Sequence, residues 1–273
     1  GAPDLWPHLL SWTGAQAAAL CLLNYLLRGQ RWRLWMAHYQ RPLPWRTGLR
    51  LYLVGYTFTP TPGNVGEAAR GLLLPVPLSP AQSLAIFGAE RVADLLCLLV
   101  LTLPGVLWLL ARPALAPWLV VVLLLIGGGS LLLLGLAWTF SARLLSRWVW
   151  LREAWACLRH QPWQWLALTL LAWAAQGLAL WLLCRDFGLV LGPSLATGFY
   201  ALAMVGGALS LLPAGLGGME AILTGLLLGA GATLPAAVAI TVLVRLLSLW
   251  LAVALGALAL AYSAAWRKDL SLS

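Results

Sequence analysis

Two stretches decide how this chain reads: PGNVGEAARGLLL, Pro62 to Leu74, and PAGLGGMEAILTGLLL, Pro213 to Leu228. Each runs from proline and glycine to a glutamate and ends in three leucines. From Leu74 and from Leu228 the next arginine is seventeen residues on in both cases, at Arg91 and Arg245, with Pro80 and Pro235 between. Leucine and glycine matches are cheap in a chain that is 62% hydrophobic. The matched pairs Glu67 with Glu220 and Arg91 with Arg245 are not cheap, because only 9% of the residues are charged. The two stretches therefore read as an internal repeat.

The surroundings of both stretches are apolar. A soluble domain would carry roughly 25% charged residues. Runs of about 20 apolar residues recur here, long enough to cross a hydrocarbon core of about 30 Å. Backbone in that core must satisfy its own hydrogen bonds, so helices are expected. Runs such as Trp118 to Leu125 lack the alternation of a β-barrel strand. The fold class is all-α, a polytopic integral membrane protein. The net charge of +9 lies mostly between apolar runs. It is read as loops facing anionic lipid rather than as a nucleic-acid surface.

The chain divides as a single transmembrane domain over 1–273. Repeat one covers about 5–110, a further span about 116–140, an amphipathic interfacial helix about 141–160, and repeat two about 163–262. The first span is expected from Leu5 to Leu27, followed by a basic loop with Arg28, Arg31, Arg33, Arg41, Arg46 and Arg50. Four more arginines lie between Ser141 and Gln161, and Arg267 and Lys268 follow the last span, which makes twelve basic residues on one side. The other side has two, Arg112 and Arg185. The positive-inside rule then places the C-terminus in the cytoplasm and the N-terminus outside.

The segments Leu49 to Leu74 and Ser194 to Leu228 read as re-entrant hairpins with Pro/Gly tips at Thr59 to Gly66 and Leu212 to Gly218. The first leg of the former, Leu49 to Thr59, makes only about 16 Å of helix. Pro62, Gly63, Gly66, Pro213, Gly215 and Gly218 are the expected hairpin breaks. Each unit is then a helix, a hairpin and a long arginine-bearing helix, and the span at 116–140 inverts the second unit. Inverted-topology repeats of this kind occur in transporters.

Charge inside such helices needs a partner or a wet cavity. Arg91 and Arg245 each lie about 16 Å into a long apolar run. Two readings stand side by side. They bind the phosphate of a lipid headgroup, for which a guanidinium fork is matched, or they are struts neutralised by Glu67, Glu90, Asp94 or Glu220. Glu90 and Asp94 share a helix face with Arg91, whereas repeat two has Val244 and Ser248 at those places. Arg70, on the first short helix, guards the cytoplasmic mouth or snorkels there. Cys21, Cys97, Cys157 and Cys184 have no metal or redox spacing. No HExxH or DxD motif is present, and the sole lysine, Lys268, rules out a GxxxxGK[ST] loop. Neither a metal, a cofactor nor an enzymatic activity is expected.

PGNVGEAAR, the ERVAD of Glu90 to Asp94, PAGLGGMEA and the VLVRLLSLW around Arg245 resemble the flippase-like transmembrane domain of the lysylphosphatidylglycerol synthase/flippase family, stand-alone members included. The resemblance covers about Leu23 to Leu260. It implies movement of an aminoacylated phosphatidylglycerol or another lipid between leaflets. Related domains occur in lipid-linked glycan and hopanoid pathways. No soluble aminoacyl-transferase domain is expected within these 273 residues, so lipid synthesis is not implied.

The expectation is a lipid translocase of the bacterial inner membrane. It would act on a phospholipid or other lipid-phosphate, with Arg91, Arg245, Glu67, Glu220, Glu90, Asp94 and Arg70 around the headgroup. Expected partners are the membrane and a second copy or a lipid-synthesis enzyme. The alternative is an intramembrane subunit or scaffold of a lipid-modifying or lipid-linked glycan enzyme.

Overall fold

The computed structural model describes residues 5–74, 76–112, 128, 132, 135, 139, 148–209 and 213–271. All regular structure among them is helical. A short α1 (Trp6–Leu9) precedes α2 (Trp12–His38), which the Ser11 side chain caps by accepting from the Gly14 N–H at 3.0 Å. α3 is Trp45–Tyr56, and a 3-10 helix spans Pro62–Leu73. α4 (Pro80–Leu101) begins at a capping box between Ser79 and Gln82, with proline in its first turn. α5 (Leu103–Leu110) follows. After the intervening segment come α6 (Val149–Arg159), α7 (Pro162–Asp186) and α8 (Pro193–Leu209). A 3-10 turn at Pro213–Gly215 leads to α9 (Gly218–Gly229) and α10 (Leu234–Arg245). A π-turn at Leu246–Trp250 joins α10 to α11 (Leu251–Ser271).

Among the described residues, two stretches are helical, long and apolar enough to cross a membrane, Pro162–Asp186 and Leu234–Ser263. A third is α4 with α5, bent by 41° at their junction. The long arginine-bearing helix expected in repeat one is thus broken. Pro104 lacks an N–H and its ring crowds the preceding turn, which accounts for the bend.

Other boundaries also differ from expectation. The first long helix does not end at Leu27 but continues to His38, so Arg28 and Arg31 are buried helix residues rather than loop charges. Two of the twelve residues in the basic count therefore have an internal role. The segment after the first break is 3-10, not α. The left-handed residues of the breaks are Asn64 (φ 58°), Ala214 (φ 54°), Gly215 (φ 66°) and Gly217 (φ 82°). Gly215 is as expected, but Gly218 is the first residue of α9, and Asn64 rather than Gly63 or Gly66 turns the first tip. Asparagine tolerates that region better than other residues with a Cβ. Most of the proposed span at 116–140, and residues 141–147 of the interfacial helix, lie outside the described residues. The rest of that helix, α6, packs on α4 and buries Ala154, Cys157 and Leu158.

The packing is reciprocal between the two halves. α2 lies along α7, the first hairpin leg α3 packs on α11, and the corresponding leg α8 packs on α4 and α5. The 3-10 helix at Pro62–Leu73 meets the turn at Pro213–Gly215. Glycines permit both exchanges. A Cβ on Gly198 of α8 would lie 2.5 Å from the Gly105 nitrogen of α5, and one on Gly256 of α11 would lie 2.6 Å from the Leu53 carbonyl oxygen of α3. Gly198→Ala is therefore expected to cost about 1–3 kcal/mol by overpacking, seen as a lower melting temperature in detergent. Gly225→Ala, where a Cβ meets nothing within 4 Å, should leave melting unchanged.

Candidate functional site

α4 carries Glu90, Arg91 and Asp94 within little more than one turn, and α2 carries Arg28 and Arg31. Asp94 joins the two helices. Its Oδ2 accepts from Arg28 Nη2 at 2.8 Å and lies 3.1 Å from Arg91 Nη2. Its Oδ1 accepts from Arg31 Nη1 at 2.7 Å and from the Trp173 indole of α7 at 3.1 Å. Arg31 also donates to Thr169 Oγ1 at 2.9 Å and lies 3.8 Å from Glu90. Glu90 accepts from Arg70. Arg70 is buried, with its guanidinium 4.6 Å from the centre of the Tyr52 ring and 5.4 Å from that of Trp32. It neither snorkels nor guards a mouth. An always-charged group buried in this way is held by its carboxylate and by the ring faces.

The repeated glutamate and arginine meet in both halves. Glu67 Oε2 lies 3.6 Å from Arg91 Nη2, and its other oxygen accepts from Thr59 Oγ1 at 2.8 Å. Arg245 Nε donates to Glu220 Oε1 at 2.5 Å, and its Nη2 donates to the Ala214 carbonyl at 3.0 Å. The Gly217 N–H donates to Glu220 Oε2 at 2.6 Å. Arg245 therefore pins the left-handed turn of the second break as well as the start of α9.

A cavity of about 80 Å³ lies where the two breaks meet, enough for several waters. Arg28, Arg91 and Arg245 line it against one carboxylate, Glu67. Tyr25, Tyr56, Trp173, Gln176, Tyr200 and Ser248 supply aromatic and polar wall. Of the residues expected around a headgroup, Arg91, Arg245 and Glu67 reach the cavity. Glu90, Asp94, Arg70 and Glu220 do not line it and serve as partners of arginines.

Arg28 was hidden by its neighbours in the sequence. It sits among six arginines that look like a single loop. The signal that separates it is position: Asn24, Arg28 and Arg31 follow each other at helical spacing from the apolar run, on one face. Asn24 donates to the Ala172 carbonyl of α7 at 2.8 Å, in line with that face being internal. Tyr25 also escaped notice. Its hydroxyl donates to the Leu247 carbonyl at 2.7 Å, in the π-turn just after Arg245.

Apolar membrane-crossing helices, broken segments that meet inside, and a buried ion network define a polytopic helical membrane protein with a charged interior. The family model described as the lysylphosphatidylglycerol synthase TM region matches residues 4–256, and the chain belongs to that family. Membership makes it a membrane protein of lipid metabolism or transport. No curated protein matches the chain.

Removing Asp94 leaves several arginines without their shared carboxylate. Asp94→Ala is expected to cost about 3–5 kcal/mol. Arg91→Ala, whose side chain is 32% exposed, should cost far less. Melting of the two purified variants checks this, and equal melting would show that Asp94 does not hold the network.

Proposed function

We propose that the protein is a lipid translocase that moves a phosphate-bearing lipid between leaflets of the bacterial inner membrane. The headgroup occupies the cavity between the two breaks while the acyl chains stay in the bilayer. The observation that carries this reading is the lining of that cavity, three guanidiniums against one carboxylate. Guanidinium presents a planar fork matched to phosphate oxygens. Buried polar atoms remain to be used: Arg28 Nε and Arg91 Nε have no hydrogen-bond partner. Arg91 is also the least buried of the cavity arginines.

The reciprocal packing of α3 on α11 and of α8 on α4 and α5 supports two related units facing one another. Two such units can exchange roles between an inward-open and an outward-open arrangement. In this reading the N-terminus is outside and the C-terminus in the cytoplasm. The protein performs no covalent chemistry, and it works as a homodimer or beside a lipid-synthesis enzyme.

Reconstitution in liposomes with a leaflet-accessibility readout for labelled phospholipids tests the proposal. The intact chain should raise lipid exchange above that of empty liposomes. Arg91→Ala should lower the rate about tenfold, the loss of one charge-assisted contact, with melting little changed. Wild-type rates in the variant would remove Arg91 from the site.

A further inference from the structure

The ion network of the first half is not balanced. Arg28, Arg31, Arg70 and Arg91 connect through Asp94, Glu90 and Glu67. That is four cations for three anions among the described residues. The second-half pair, Arg245 with Glu220, is balanced by itself. One positive charge is therefore left over, and its outlet is the cavity, because Arg28 and Arg91 are the arginines of the network that line it. Arg91 Nε has no hydrogen-bond partner, while its Nη2 is ion-paired with Asp94 and Glu67.

From this imbalance, and resting on the translocase reading, we infer that the cavity selects a lipid headgroup of net charge −1, a phosphodiester that carries no amine. Low-dielectric surroundings strengthen the penalty for leaving a charge uncompensated. A monoanion neutralises the network. A zwitterionic headgroup leaves the excess in place, and an aminoacylated one with more amine than phosphate adds to it.

The wall gives a second, independent reason. An ammonium group needs an acceptor or an aromatic face. The face of Trp173 is taken by Arg28, whose guanidinium lies 5.0 Å from the ring centre. Glu67, the carboxylate of the cavity, accepts from Thr59 through Oε1, and its Oε2 faces Arg91 at 3.6 Å as a counter-ion already counted in the balance. A phosphomonoester, at about −1.5 to −2, overshoots the excess.

The test compares four labelled lipids on the full chain in liposomes: phosphatidylglycerol, phosphatidylethanolamine, lysylphosphatidylglycerol and phosphatidic acid. Phosphatidylglycerol should move about tenfold faster than each of the other three. Glu67→Gln keeps the shape and raises the excess to two charges, so it should shift the preference toward phosphatidic acid.

Movement of phosphatidylethanolamine or lysylphosphatidylglycerol at the rate of phosphatidylglycerol overturns the charge inference and leaves the translocase reading standing. If nothing moves, melting in detergent with the same lipids separates the two ideas. Selective stabilisation by phosphatidylglycerol keeps the charge inference and removes translocation, whereas no selectivity removes both. Full stabilisation by glycerophosphoglycerol, the same diester without acyl chains, makes the ligand a soluble diester and ends the lipid reading.

Discussion

One carboxylate holds the interior together. Asp94, on α4, accepts from two arginines of α2 and an indole of α7, and those three helices carry walls of the cavity. A buried carboxylate is costly to desolvate unless its oxygens are filled, and here both are. The same contacts fix the rotamers of Arg28 and Arg31. Without a central anion, guanidiniums on neighbouring faces of α2 and α4 would repel one another and drive the helices apart. Apolar packing cannot replace it, because hydrocarbon tails compete equally well for apolar side chains in a bilayer.

The second constraint is the close approach of helix to helix at glycine. Gly105 against Gly198 and Gly256 against α3 bring each long helix onto the hairpin leg of the other half. Small residues let backbones touch where no hydrophobic force drives helices together. The two halves are thereby interlocked, and the meeting of Pro62–Leu73 with Pro213–Gly215 follows from that crossing.

Much of this was legible because charge is scarce. The spacing matched Glu67 to Glu220 and Arg91 to Arg245, and in the structure each glutamate lies beside the arginine of its own half. The asymmetry at Glu90 and Asp94 was equally visible, and among the described residues those two carboxylates build an arginine network with no counterpart around Arg245. Less legible was whatever depended on telling one arginine from another. Arg28 and Arg31 share one basic stretch with Arg33, Arg41, Arg46 and Arg50, and it takes the length of α2 together with their helical spacing from Asn24 to set them inside. The bend at Pro104 was obscured by apolar residues on both sides. Backbone conformation was least visible: Asn64, Ala214 and Gly217 adopt left-handed geometry in places where neighbouring glycines looked better suited.

The π-turn at Leu246–Trp250 has a consequence for the long helix that contains it. A π-turn is one residue inserted into an α-helix, and each residue advances an α-helix by about 100°. The helix therefore has two phases. Before the insertion it is phased to the second break, through Arg245 and the Ala214 carbonyl. After it, Gly256 is phased to α3. In an unbroken α-helix a face set for one contact would be turned by about 100° from the other. Tyr25, by donating to the Leu247 carbonyl, stabilises the place where the phase changes. A single rod thus serves two partners that no regular helix of the same sequence length would satisfy together.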